Sequence, residues 1–224
     1  MPADPPTEPA ADRTADSAAD RDPGRSRGPY AKSRRRREEI LDAALEVFAQ
    51  SGYRAGSISE IAERVGMSRA GLLHHFDSKS TLLTAVLEHR DAVSGPLPAE
   101  PGQDPGAILR ALVALSAYNA EHRGVVELHC VLSAEATTED HPARAYFASH
   151  YARQRDALTQ AFATYAAAGR LRTGMEPGAA AAATLAALDG LQTQWLLAPE
   201  AVDLPAATAR FLGRFVGADH WSGE

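Results

Sequence analysis

From Ala31 onward, apolar residues recur at helical spacing. Ile40, Leu41, Ala44, Leu45, Val47 and Phe48 fall three and four apart and predict a helix that Gly52 ends. In "SISE", Ser57 and Glu60 stand at the spacing of a capping box, in which each side chain would bond the other residue's amide. Ile58, Ile61, Ala62 and Val65 then give a second helix one apolar face, and Gly66 breaks it. Ser68 heads a third helix that runs to about His75. Ser78 heads a fourth, carrying Leu82, Leu83, Val86 and Leu87, which ends before the Pro/Gly-rich stretch "SGPLPAEPGQDPG" at 94–106. Further helices are predicted at about 104–121, 123–137, 141–168, 177–197 and 204–217. The Ala-rich "GAAAAATLAALDG" reads as one helix with a small-residue face rather than as a repeat. No stretch alternates apolar and polar residues as a half-buried strand would. The fold class is all-α.

Residues 1–29 show no such period and hold six of the fourteen prolines. They offer too little apolar surface to offset the entropy of ordering, so a disordered tail is expected. The domains expected after it are a smaller helical domain over 30–77 and a larger helical domain over 78–224, with the helix at 78–93 as connector.

Charge adds a direction. The net charge of −6 divides into −2 over 1–29, +1 over 30–95 and −5 over 96–224. The densest basic run, "KSRRRR" from Lys32 to Arg37, precedes the first helix, so a phosphate contact is expected at one end of the molecule only. The single cysteine, Cys130, allows no intramolecular disulfide and suits a reducing compartment. With no 18-residue apolar run and no charged-then-apolar leader, a cytoplasmic protein without a membrane partner is expected.

The stretch "ISEIAERVGMSRAGLLHHF", 58–76, meets the requirements of a helix-turn-helix. Ala62, fifth in the motif, is small enough to let the second helix approach. Gly66, ninth, takes a left-handed turn without a Cβ penalty, and Leu72, fifteenth, locks the helices from the buried side. An ordinary helical hairpin with this spacing by chance is the alternative. His74 and His75 follow one another, about 100° apart around a helix, whereas helical metal pairs stand three or four residues apart. No metal site is assigned to them; a place for His74 in the seam against the first helix is the competing structural reading.

Residues 36–86 resemble the TetR/AcrR family of bacterial one-component transcriptional regulators, through "ILDAALEVFAQSGY", "SISEIAERVGMS" and "LLHHFDSKSTLL". The resemblance covers about a quarter of the chain. It implies a homodimer in which each third helix lies in a major groove of a palindromic operator of double-stranded DNA. It also implies a C-terminal domain that holds a small-molecule effector and the dimer contact, with ligand release of DNA. On this resemblance Ser68, Arg69, Ala70, Gly71, Leu73, His74 and His75 face DNA, and Lys79 and Ser57 donate to phosphate. Leu73 departs from the family's usual tyrosine and offers only apolar contact. The basic arm, including Arg35 and Arg36, would track the backbone or enter the minor groove. Such a protein is nucleoid-associated when bound to DNA.

In the C-terminal half, apolar faces interrupted by a few polar groups mark a pocket. The candidates are Leu115, Tyr118, Asn119, His129, Phe147, Tyr151, Gln192 and Trp195. Ala183, Ala186 and Gly190 with Phe211, Leu212 and Phe215 are expected at the dimer interface. There is no nucleophile elbow, phosphate-cradling loop, His-Glu-x-x-His or cysteine cluster, so neither catalysis, a cofactor nor a metal is expected. The residues leave open a DNA-binding regulator without small-molecule sensing, and activation in place of repression.

Overall fold

The computed structural model describes residues 27–94, 104–172, 174–217, 219 and 221. Most of the stretch expected as a disordered tail, and most of the loop expected at 94–106, lie outside the described residues. The described residues form nine helices and no strand: α1 (Arg27–Ala55), α2 (Ile58–Arg64), α3 (Arg69–His75), α4 (Lys79–Ser94), α5 (Pro105–Glu121), α6 (Arg123–Glu135), α7 (Arg144–Ala167), α8 (Pro177–Leu197) and α9 (Leu204–Phe215). The described residues from 36 onward make one compact unit; residues 27–35, outside it, form the opening turns of α1.

Two expectations at α1 need correction. The helix reaches back to Arg27, inside the stretch assigned to the tail, and it is kinked rather than ended at Gly52 (φ 70°, ψ 178°). Only glycine adopts that backbone readily, and one more helical turn follows to Ala55. The capping box also does not close. Ser57 Oγ accepts from the Ser59 amide at 3.2 Å, but Glu60 turns along its own helix to Arg64 at 2.9 Å. A charged partner four residues on outcompetes a neutral amide for that carboxylate.

Three apolar clusters hold the helices. The first joins Ile40 and Phe48 of α1, Ile61 of α2, Leu72 of α3 and Leu83 of α4 to Leu128 and Leu132 of α6. The second gathers Leu109 of α5, Phe162 of α7, Ala181 of α8 and Leu212 of α9. The third is small: Val126, Trp195 and Leu204. Ala62 and Leu72 are buried, and Gly66 has φ 64°, as the helix-turn-helix spacing predicts.

Candidate nucleic-acid interface

The third helix owes its orientation to Leu72, which is fully buried. Ser68 caps it, its Oγ accepting from the Gly71 amide at 3.0 Å. With Leu72 inward, Arg69, Ala70 and His74 are left exposed, while Gly71, Leu73 and His75 are half-buried. The exposure of His74 rules out its place in a seam. Leu73 packs partly against the first apolar cluster. The helix carries no acid. The groove between α1 and α2 has the opposite character: Glu39, Asp42 and Glu46 line it with Arg36 and Arg64. Both of those guanidiniums already hold carboxylates, at 2.8 Å (Glu39) and 3.0 Å (Glu46).

The other expected phosphate donors have different surroundings. Ser57 is exposed at the head of α2. Lys79 is half-buried; its Nζ donates to the Arg54 carbonyl at 3.1 Å and lies 4.6 Å from the centre of the Tyr53 ring. Burial pushes its pKa down, and the nearby charge of Glu135 works the other way. Arg36 reaches into the head, its Nη2 donating to the Val65 carbonyl at 2.6 Å. Arg35 is exposed on the first turns of α1.

Of the eight pocket candidates, the fold brings His129, Phe147 and Tyr151 together. His129 Nε2 lies 3.2 Å from Asp189 Oδ1, and Tyr151 Oη donates to Asp189 Oδ2 at 2.7 Å. The rings of Phe147, His150 and Tyr151 stand 5.7, 6.0 and 6.3 Å from that of His129. Arg90 and Asp91, from the end of α4, join the same group: Asp91 Oδ2 is 3.8 Å from His150 Nδ1, and Arg90 is buried. Burial pushes the pKa of His129 down against the pull of Asp189. Burial alone would raise Asp189, but the hydrogen bonds from His129 and Tyr151 outweigh it and hold that carboxyl below its ordinary value. Two buried atoms, His129 Nδ1 and Arg90 Nε, have no hydrogen-bond partner among the described residues.

The other candidates do not converge there. Tyr118 stacks on His122 at 3.9 Å, and Trp195 is buried in the third cluster under the guanidinium of Arg123. No hydrogen bond or ring contact joins Leu115, Asn119 or Gln192 to the His129 group among the described residues. Asn119 is buried with its Oδ1 unpartnered.

The proposed dimer residues divide. Ala186 is exposed, Ala183 and Gly190 are half-buried, and a Cβ added at Gly190 would meet open space. Leu212 and Phe215, however, are buried in the second cluster of their own chain, with Phe215 5.4 Å from the Phe162 ring. Their assignment to an interface is corrected: a large apolar stripe on a closing helix fills the core beneath it first. Phe211 is half-buried and stacks edge-on against Phe215.

Comparison with known proteins decides the family. Residues 40–86 match the bacterial regulatory proteins of the tetR family. Residues 105–218, more than half of the chain, match the C-terminal domain of the BetI-type transcriptional repressors. The chain belongs to the TetR family of transcriptional regulators. This TetR-family protein is 30% identical over 178 residues to the transcriptional regulator TtgR of Pseudomonas putida, covering 75% of this chain and 83% of TtgR. It is 36% identical over 101 residues to the transcriptional repressor KstR2 of Rhodococcus jostii, covering 40% of this chain and 47% of KstR2, about half of that relative's length. SmeT, repressor of the Stenotrophomonas maltophilia efflux pump SmeDEF, in complex with triclosan, shares the fold, with TM-score 0.68 and 24% identity over 81% of this chain and 92% of SmeT. The chain is thus a DNA-binding transcriptional regulator of a family of regulators rather than enzymes. Among its described residues no helix is long and apolar enough to cross a membrane.

The sequence reading of this TetR-family regulator missed Arg90, Asp91 and Asp189. Two signals were present. Arg90 continues the buried stripe of Leu83 and Val86 along α4, where a charge is out of place. Asp189 is the one charged residue in α8, in the middle of its Ala- and Leu-rich stretch.

Proposed function

We propose that this regulator is a repressor that binds a palindromic operator as a homodimer and is released by a small molecule held in its C-terminal half. The single observation that carries the DNA-reading assignment is the outward face of α3. Arg69, Ala70 and His74 are exposed together on a helix pinned by buried Leu72. Arg69 matches guanine edges or phosphate, Ala70 a thymine methyl, and His74 and His75 phosphate or base acceptors. Lys79, Ser57 and, from the basic arm, exposed Arg35 add backbone contacts. The repressor reading is supported by the likeness of residues 105–218 to the BetI-type repressors. The protein works in the cytoplasm, on the nucleoid.

The His129, Tyr151 and Asp189 group is the proposed effector site. Buried polar atoms without partners are uncommon, and two of them meet in this group. The exposed small residues of α8, Ala182 and Ala186 with open Gly190, are the proposed dimer face, since they let a second helix approach closely.

The test is selection of bound DNA from a random library, with and without a metabolite pool. An enriched palindrome that disappears when the pool is added supports the whole reading. A palindrome indifferent to the pool keeps DNA binding and removes the effector. No enrichment from folded protein overturns the assignment of α3.

A further inference from the structure

Helix α6 has two working faces. Leu128 and Leu132 enter the first apolar cluster, among residues of α1 to α4. Val126 and Cys130, each two positions from Leu128 or Leu132 and so on the opposite side, pack in the third cluster with Trp195 and Leu204. His129 turns to Asp189 of α8. The helix is therefore shared between the half that carries the reading head and the half that carries the proposed effector site.

Its last residue is Glu135. The carboxylate Oε2 accepts from the Tyr53 amide at 2.7 Å, across 82 positions of sequence. His141 Nε2 lies 3.4 Å from the same oxygen, and its side chain is almost fully buried. Lys79 is the third group that feels the carboxylate. Gly52 is glycine for two reasons at this point. Its φ of 70° excludes other residues, and a Cβ there would collide with the Glu135 carboxylate. The corner that Glu135 grips, Gly52–Tyr53, is the kink before α2, and Lys79 lies against the Tyr53 ring.

We propose that Glu135 is the pin through which α6 positions the reading head, so that a change where His129 of α6 meets Asp189 of α8 reaches the Gly52–Tyr53 corner and Lys79. This rests on the reading of α3 as the DNA-binding element. A charge-assisted bond to a backbone amide is among the stronger hydrogen bonds available, and it is directional. Apolar contacts of Leu128 and Leu132 hold α6 to the head but tolerate sliding; Glu135 fixes the register. Glu135 is a positioning residue and touches no DNA.

The test uses the full chain and five proteins: wild type, Glu135→Ala, Glu135→Gln, Asp189→Asn, and Asp189→Asn with Glu135→Ala. Hydrogen exchange of the Tyr53 amide is followed by NMR without DNA. Operator affinity is measured by fluorescence anisotropy on the selected palindrome. Melting curves establish that each variant is folded. In Glu135→Ala the Tyr53 amide should exchange at least about tenfold faster. Glu135→Gln, which still offers an acceptor oxygen, should restore most of the protection. Asp189→Asn should change operator affinity by about fivefold or more in the presence of Glu135 and leave it unchanged in its absence. Unaltered Tyr53 protection in folded Glu135→Ala overturns the proposal. So does an Asp189→Asn effect that is absent, or that is the same size with and without Glu135. A wild type that binds no operator instead defeats the reading of α3, and the exchange measurement then decides the pin by itself.

Discussion

Arg36 Nη2 donates to the carbonyl oxygen of Val65 across 2.6 Å. Val65 is the C-cap of α2, where carbonyls lack intrahelical partners. A residue of the basic run, expected on the DNA backbone, thereby braces the turn of the helix-turn-helix. The nearby Glu39 contact adds little, since both side chains are a third or more exposed. Arg36→Met should lower stability by about 1 kcal/mol in urea unfolding. The salt dependence of operator binding should stay as in wild type. A slope shallower by about one unit would instead make Arg36 a phosphate contact.

Arg69 has the opposite setting, exposed in the first turn of α3. Arg69→Ala should weaken operator binding by about tenfold or more, the worth of a good bidentate base contact, and relax preference at one base pair. Its melting temperature should match wild type. Near-equal affinity at physiological salt removes Arg69 from the interface.

Leu72 fixes which face of α3 looks outward. Leu72→Ala should cost about 2–5 kcal/mol, because the site is fully enclosed and a cavity would remain. Chemical denaturation measures it. A loss under 1 kcal/mol would mean that the seam between α2 and α3 closes over the gap.

His129 gives stability a pH dependence. Its folded pKa is lowered, chiefly by burial, so the unfolded chain takes up the proton more readily. The stability tied to neutral His129 is then complete above the ordinary value of 6.5 and declines as pH falls from there toward the depressed folded value. The urea midpoint of wild type should fall more between pH 7.5 and 5.5 than that of His129→Gln. Parallel losses would assign the acid sensitivity to other groups.

Ala186 is exposed on α8, so a larger residue there leaves the fold of one chain untouched. Ala186→Glu should place two carboxylates near one another at the proposed twofold contact and weaken dimerisation by well over about tenfold. Sedimentation of the two proteins checks this. An unchanged dimer would move the interface off this face.

The reading head was legible because its grammar is local. Ala62, Gly66 and Leu72 act within fifteen positions of one another, and each role follows from size or backbone alone. The same holds for Ser68 and Ser78, which cap the helices they precede. The C-terminal half yielded less. In α8 small apolar residues occur all round, so no stripe distinguishes core from surface. In α9 the stripe of Leu212 and Phe215 was visible, but a pattern does not say whose core it fills. Contacts such as Tyr53 with Glu135 or Arg110 with Trp221 join residues 82 and 111 positions apart, beyond any spacing rule. Gly52 was read as a helix stop; its neighbour across space, Glu135, explains it better.

The first apolar cluster takes Leu128 and Leu132 from α6 as well as its members from the reading head. The helix-turn-helix is therefore not a detachable module. Transplanted onto the body of another family member, it would arrive with two leucine-sized holes, or with a foreign pair of side chains forced into them. Exchange of operator specificity between such regulators should succeed by regrafting the exposed positions of α3 alone, and fail when the cut is made at the sequence boundary before α4.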